Sequence, residues 1–166
     1  MNHPQIKINV KNFGTMTAEL YPEFAPKTVE NFLKLARERF FDGLIFHRVI
    51  SGFMLQGGGY NEQMGEKHTA SIKGEFAANG FPTNTLRHTR GVLSMARTSD
   101  PNSASSQFFI MHKDAPHLDA QYAGFGKVVE GIEVVDKIAD TRTTSYGWYD
   151  DVPVVPVVIE KVEIIE

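Results

Sequence analysis

Short apolar runs of strand length occur along most of this chain, and helical spacing is confined to two segments. Near the start, Ile6, Ile8 and Val10 alternate with polar residues, and Met16 resumes the alternation after the turn-prone residues 12–14. A two-residue period is typical of a strand that buries one face, because successive side chains point to opposite sides of a sheet. The start of the chain therefore predicts a β-hairpin.

Two segments have the spacing of an amphipathic helix. The first begins at Pro26, a residue that suits the first turn of a helix, and extends to Arg39. Its apolar positions are Val29, Phe32, Leu33, Ala36 and Phe40. The second has its apolar face at Ile132, Val135, Ile138 and Ala139. Both patterns predict short helices with one buried face.

Further apolar runs, rich in β-branched and aromatic residues, predict strands. They are residues 44–50, 53–56, 91–96, 107–111 and 125–129, and a last strand is expected at 157–165. Many short strands with two helices favour an all-β barrel or sandwich with helical caps over alternating strands and helices. The aperiodic residues 57–90 are expected to form functional loops, and residues 141–156 a further loop.

Composition and charge narrow the classes of function. The 166 residues predict one globular domain, 1–166. A net charge of −3 leaves no excess of Lys and Arg for a phosphate backbone, so nucleic acid is not an expected partner. The absence of cysteine excludes disulfides and thiolate chemistry. The chain has no apolar stretch as long as a signal peptide or a membrane span, so we expect a cytoplasmic protein with no membrane partner.

One motif carries a family resemblance. Residues 46–58, FHRVISGFMLQGG, closely resemble the central motif of cyclophilins. The segments GVLSMA at 91–96, SSQFFI at 105–110 and FGKV at 125–128 follow in the family's order, and TVENF at 28–32 is also similar. The resemblance therefore covers nearly the whole chain.

The resemblance implies both a fold and an activity. The cyclophilin fold is all-β, a closed eight-stranded antiparallel β-barrel capped by two α-helices, which agrees with the strand and helix pattern found above. The activity is peptidyl-prolyl cis/trans isomerisation, which assists protein folding. The expected partners are proline-containing peptides and unfolded or folding proteins, and the simplest expectation is a monomer.

By the same resemblance, the catalytic residues are Arg48, Gln56 and Phe53. Amide resonance gives peptide-bond rotation a barrier of about 18 to 20 kcal/mol, and catalysis must weaken that resonance. The guanidinium of Arg48 can donate a hydrogen bond to the prolyl nitrogen as its lone pair localises. Because the reaction is a bond rotation, we expect no cofactor and no metal.

The resemblance also assigns residues that bind the substrate. The proline ring would enter an apolar pocket formed by Phe53, Met54, Phe109 and Leu118. Strand alternation places Phe108 on the opposite face from Phe109, as interior packing. Gln107, together with Gln56, would hold Arg48 and hydrogen-bond the substrate backbone. Ala96 and Arg97 would receive an extended peptide through their main chain. The remaining substrate-binding residues are His117 and Tyr122.

Two positions depart from the best-known eukaryotic cyclophilins. His117 stands where those members carry a tryptophan that helps to bind cyclosporin, so we expect a cyclosporin-type ligand to bind more weakly. Tyr122 stands where they carry a histidine, which changes size and charge at the rim of the groove. His47 precedes Arg48 and is expected to have a structural role.

Other functions fit the sequence less well. The chain has six histidines, but they form no HExxH or comparable ligand pair. The glycines at 57–59 are not followed by the Gly-Lys-Ser/Thr of a phosphate-binding loop. One alternative remains open, a proline-directed peptide-binding module or holdase chaperone with little turnover.

Overall fold

The computed structural model describes residues 3–165. Two α-helices, α1 (Pro26–Arg37) and α2 (Ile132–Ala139), and two 3₁₀ turns, Ala77–Asn79 and Pro116–Leu118, accompany the strands. The strands in this part of the chain are β1 (Gln5–Val10), β2 (Gly14–Leu20), β3 (Leu44–Ile45), β4 (Arg48–Ile50), β5 (Met54–Gly57), β6 (Tyr60–Asn61), β7 (Val92–Met95), β8 (Phe108–Met111), β9 (Gly124–Glu130), β10 (Thr143–Tyr146), β11 (Tyr149–Pro153) and β12 (Ile159–Ile165).

The main sheet has eight antiparallel strands in the spatial order β12-β1-β2-β9-β7-β8-β5-β4. It is open and strongly curled, so the prediction of a closed barrel is wrong. Between the edge strands β4 and β12, the described residues form no ladder; beside this opening, Ile45 of β3 makes an isolated bridge with Val158, which precedes β12. The amides of Gly43 and Phe46 donate to the carbonyls of Ile159 and Val157, but β3 pairs with β6 in a separate two-stranded sheet, so no continuous ladder joins the two edges of the main sheet.

The interior of the curl is filled by aromatic side chains beneath α1. Phe32 of α1 lies 4.9 Å from Phe41, 5.3 Å from Phe108 and 5.3 Å from Phe125 between ring centroids. All four rings are almost completely buried. Burying a ring of this size stabilises a fold by about 1.5 to 3 kcal/mol, so this cluster holds α1 to the sheet.

The first helix ends two residues earlier than the spacing predicts, at Arg37 instead of Arg39. Arg39 adopts a left-handed conformation with a φ of 59°. The amide of Arg39 donates to the carbonyl of Ala36, and the amide of Phe40 donates to that of Leu35. This pattern is a Schellman motif, which ends the helix and turns Phe40 back towards the interior.

The structure confirms the N-terminal hairpin and changes two other elements. Residues 44–50 form two short strands, β3 and β4, instead of one. Residues 141–156, predicted to be a loop, contain the hairpin of β10 and β11. Tyr146 pairs with Tyr149 across a two-residue turn, in which Gly147 has a φ of 59°. Within residues 3–165, neither helix is long and apolar enough to cross a membrane.

Candidate active site

The hairpin of β4 and β5 brings the residues of the central motif together. Arg48 and Gln56 are register partners in this hairpin. Nη1 of Arg48 donates to Oε1 of Gln56 over 3.3 Å, and Nε2 of Gln56 donates to Oε1 of Gln107 over 3.0 Å. Arg48 itself is exposed. Two amide side chains therefore orient the guanidinium of Arg48, whose planar group of donors suits directed hydrogen bonds.

A pocket of about 150 Å³ opens beside Arg48. A cavity of about 150 Å³ lined by apolar side chains can hold a benzene-sized ring, so a pyrrolidine ring is within its capacity. Nine of the eleven predicted site residues line the pocket: Arg48, Phe53, Met54, Gln56, Ala96, Arg97, Phe109, Leu118 and Tyr122. The structure thus gathers residues from four separate parts of the chain around one opening.

The floor of this pocket belongs to a small apolar cluster on the outer face of the sheet. Its buried members are Met54, Val92, Phe109, Met111, Ala115 and Leu118. Phe109 is 5% exposed, whereas its neighbour Phe108 is fully buried on the interior face. The predicted division of these two phenylalanines between opposite faces of β8 is therefore confirmed.

A buried imidazole backs the pocket floor. His88 lies 6.0 Å from Phe109 between ring centroids, and its Nε2 is 2.8 Å from Oγ of Ser94. Its Nδ1 is 3.1 Å from Oδ1 of Asp119, the residue after Leu118. Burial lowers the pKa of His88, although the carboxylate of Asp119 opposes this effect. Ser94 is fully buried, so this Ser–His–Asp arrangement cannot present a nucleophile to a substrate.

The rim of the pocket is held by Arg97. Its guanidinium lies 4.8 Å from the ring centroid of Phe76 and 4.6 Å from that of Tyr122. Its Nη2 also donates to the carbonyl of Gln121 over 2.7 Å. The side chain of Arg97 therefore fixes Tyr122, a role beyond the main-chain contact predicted for this position.

The other two predicted site residues lie outside the pocket itself. His117 stacks on Phe53, with 5.8 Å between ring centroids, and thus borders the outer side of that phenylalanine. Gln107 is joined to the pocket through Gln56 and lines an adjoining cleft. The amide of Ala96 donates to the carbonyl of Gln107, so these two segments are tied together at the edge of the pocket.

The adjoining cleft has a volume of about 490 Å³ and shares Arg48, Gln56, Ala96 and Arg97 with the pocket. Its other walls include residues that the sequence did not single out, namely Glu66, His68 and Tyr149. Tyr149 comes from the unpredicted hairpin of β10 and β11. The aromatic residues on both sides of Gly147 were a signal for that hairpin, because a two-residue turn with glycine first is typical of such connections.

Next to Arg48, His47 is buried against two tyrosines. Its ring centroid lies 4.4 Å from that of Tyr60 and 6.4 Å from that of Tyr149. Its Nδ1 has no hydrogen-bond partner among the described residues. Burial, with a smaller contribution from the charge of Arg48, lowers the pKa of His47 to about 4. The hydroxyls of Tyr60 and Tyr149 are 3.1 Å apart, and burial followed by this bond raises the pKa of Tyr60.

Comparison with known proteins agrees with this geometry. Residues 5–164 match the family model described as cyclophilin type peptidyl-prolyl cis-trans isomerase. The chain belongs to the cyclophilin family. It is 50% identical over 159 residues to a peptidyl-prolyl cis-trans isomerase of Acinetobacter baylyi, an alignment that covers 92% of this chain and 81% of the relative. It is 44% identical over 164 residues to peptidyl-prolyl cis-trans isomerase B of Escherichia coli K12, with 93% and 96% covered.

Solved cyclophilin structures resemble the whole fold. A cyclophilin type peptidyl-prolyl cis-trans isomerase of Cryptosporidium parvum superposes with a TM-score of 0.82 at 27% identity, and 99% of each chain is covered. A second structure of that protein, in the presence of the dipeptide Ala-Pro, has a TM-score of 0.80 at 27% identity, with 98% of this chain and 99% of that chain covered. The family and these relatives support peptidyl-prolyl cis-trans isomerisation as the activity of the chain.

Proposed function

We propose that Arg48 accelerates the rotation of X-Pro peptide bonds by stabilising the twisted transition state, while the proline ring occupies the adjacent pocket. The observation that carries this proposal is the hydrogen-bonded chain from Arg48 through Gln56 to Gln107, beside an apolar pocket of about 150 Å³. The arrangement combines a fixed donor with a site that fits the ring.

The chemistry follows from the electronic structure of the amide. In the planar peptide the nitrogen lone pair is delocalised, and in the twisted state it is localised on nitrogen and accepts a hydrogen bond. A donor aimed at that nitrogen binds the transition state more strongly than either planar isomer, which is the condition for catalysis. Gln56 limits the positions that Arg48 can take, so less ordering is needed when the substrate arrives.

The pocket and its rim divide the remaining roles. Phe53, Met54, Phe109 and Leu118 would contact the proline ring, and the flexible thioether of Met54 adapts to its shape. Ala96 and Arg97 would receive the peptide on either side of the proline through their main chain. In this proposal the substrates are proline-containing peptides and folding proteins of the cytoplasm, the chain acts as a single-domain monomer, and the reaction uses no cofactor.

The rival function, a peptide-binding module with little turnover, needs the pocket but not the oriented arginine. The bond from Arg48 to Gln56 therefore favours the isomerase. An apolar pocket without an oriented donor would bind the planar ground states and the twisted state equally, and uniform binding does not accelerate the chemical step.

The test compares the unaltered chain with Arg48→Ala in the cis-to-trans relaxation of a short X-Pro peptide, measured by NMR exchange. We expect the variant to lower the catalysed rate by a factor of about 10² or more, which corresponds to roughly 2.7 kcal/mol of transition-state stabilisation. Arg37→Ala, which removes an exposed arginine of α1, is the matched control. Equal rates for Arg48→Ala and the unaltered chain would reject the assignment and favour the binding module.

A further inference from the structure

The turn that joins β4 to β5 carries Phe53, and its conformation is tightly defined. The amide of Phe53 donates to the carbonyl of Ile50 over 3.0 Å, which closes a four-residue turn. Gly52 occupies the third position with a φ of 82°. A positive φ at this position is typical of a type II turn, and glycine adopts it without strain. The turn connects Arg48 on one strand to Met54 on the other.

His112, the first residue after β8, holds this turn from below. Its backbone amide donates to the carbonyl of Phe53 over 2.9 Å. Its Nδ1 accepts the amide hydrogen of Gly52, also over 2.9 Å. The side chain is 10% exposed, so both bonds are largely shielded from water. One residue therefore contacts the peptide units on both sides of the Gly52–Phe53 peptide bond.

The other ring nitrogen of His112 faces α2. Nε2 lies 3.2 Å from Oδ1 of Asp136. An ionised carboxylate only accepts hydrogen bonds, so the hydrogen resides on Nε2 and Nδ1 is left with the lone pair that accepts from Gly52. Asp136 thus determines the tautomer of His112 that the turn requires.

Asp136 is itself held in place by Arg90. The guanidinium makes two bonds of 2.7 Å to the carboxylate, and Nη1 also donates to the carbonyl of His112 over 3.0 Å. The hydrogen bond from Arg90 is the largest favourable influence on the carboxylate and lowers the pKa of Asp136. Arg90, Asp136 and His112 therefore form a closed ring of contacts between α2 and the end of β8.

The position of the turn matters because β4 is an edge strand of the main sheet. β4 pairs with β5 through three register pairs, of which Arg48 with Gln56 is the farthest from the turn. A short edge strand with a ladder on one side depends on its connection for its placement. The contact with His112 anchors that connection.

We propose that His112 is a positioning residue for the isomerase, which acts by holding the peptide units on both sides of the Gly52–Phe53 bond so that Phe53 and Arg48 keep their places at the pocket. The inference rests on the proposed function of Arg48. His112 does not line the pocket, so it acts through the turn and not through the substrate.

Two near-isosteric substitutions test separately the two contacts of the imidazole, Nδ1 with the Gly52 amide and Nε2 with Asp136. In His112→Asn the amide oxygen stands near the position of Nδ1 and can still accept from Gly52, but the contact with Asp136 is lost. In His112→Gln the longer side chain can reach Asp136, but the acceptor for Gly52 is lost. Neither variant introduces a charge, and both are compared at a temperature at which circular dichroism shows them to be folded.

We expect His112→Gln to lower kcat/KM for an X-Pro peptide about tenfold, and His112→Asn to stay within about threefold of the unaltered chain. The Gly52 amide signal in a ¹H–¹⁵N NMR spectrum provides a second readout. This signal should move towards the position of a free amide, and exchange faster with solvent, in His112→Gln but not in His112→Asn.

Four results would overturn the proposed role of His112 or the function on which it depends. Both variants at the unaltered rate would show that the turn does not need His112. An Asn variant as slow as the Gln variant would show that the bond to Gly52 is not the effective one. An unaltered chain without isomerase activity would reject the proposed function, whereas activity that Arg48→Ala abolishes and His112→Gln leaves intact would reject the positioning role alone.

Discussion

The two faces of the main sheet have different surroundings, although adjacent residues of a single strand contribute side chains to each face. Phe108 of β8 packs inside the curl against Phe32, Phe41 and Phe46. Its neighbour Phe109 belongs to the smaller outer cluster and lines the pocket. The interior face has α1 across it, whereas the outer face is open at the pocket. The comparison suggests that interior side chains govern stability and that outer ones govern the reaction.

The largest expected effect separates these two phenylalanines. Phe108→Ala leaves a cavity among packed rings and should lower the free energy of unfolding by about 3 to 5 kcal/mol. Phe109→Ala should cost less stability, because its side chain already borders an open pocket, but should lower kcat/KM at least about tenfold. Urea denaturation and peptide isomerisation measure the two quantities on both variants. Equal losses of stability and of activity would show that the two faces do not divide the work.

A second pair of neighbours, His47 and Arg48, predicts a dependence on pH. Burial lowers the pKa of His47 from its ordinary value of 6.5 to about 4. Between these pH values the unfolded chain binds a proton that the folded chain does not bind, so stability is fully present above about pH 6.5 and falls as the pH is lowered towards 4. The expected loss over this range is about 3 kcal/mol.

Urea denaturation at a series of pH values tests this expectation, with His47→Gln as the control. The variant has no imidazole at this position, so its stability should fall less steeply between pH 6.5 and 4. The same slope in both chains would assign the acid sensitivity to other groups, such as the buried His88.

A substitution of His117 compares how much the rim and the floor of the pocket contribute to ligand affinity. Trp at this position would extend the apolar surface beside Phe53, because a tryptophan buries about 150 to 250 Å² at a contact. His117→Trp should therefore bind cyclosporin at least about tenfold more tightly than the unaltered chain, a difference of about 1.4 kcal/mol in calorimetric titration. Unchanged affinity would show that the floor, and not this rim position, limits binding of the ligand.

The smallest expected effect concerns Arg97. Arg97→Lys keeps the charge but loses the planar stacking between Phe76 and Tyr122 and the forked contact with Gln121. We expect a loss of about 0.5 to 1 kcal/mol in unfolding free energy, since cation–π contacts at partly exposed sites have this size. Isomerisation of a short Ala-Pro peptide should change by less than about threefold. A tenfold change would place Arg97 within the catalytic arrangement instead of at its rim.

Local patterns predicted the parts of the fold in which neighbouring residues determine the outcome. The alternation of Ile6, Ile8 and Val10 predicted β1, and the same rule assigned Phe108 and Phe109 to opposite faces. The motif around Arg48 predicted which residues would meet at a pocket, and nine of the eleven lie around it. Their individual roles stay predictions until the variants are measured.

Other features depended on contacts between distant segments, so sequence patterns did not predict them. The prediction of a closed barrel was wrong because the pairing of two edge strands depends on where each strand begins and ends in space. The hairpin of β10 and β11 was missed because exposed polar residues within it conceal its period. The contacts of His112 link Asp136 to Gly52, two residues that are 84 positions apart in the chain.

By itself, the sequence determined the family and the activity through motifs that resemble those of cyclophilins, and it named nine residues that line the pocket, while the period of apolar residues predicted the strands and helices. The tertiary structure alone decided that the sheet stays open, that Arg97 holds Tyr122, and that His112 anchors the turn before Phe53. The physical reason is that a hydrogen bond or a stacked contact needs a distance of a few ångströms and a definite direction. Residues far apart in the chain acquire both only when the strands have paired.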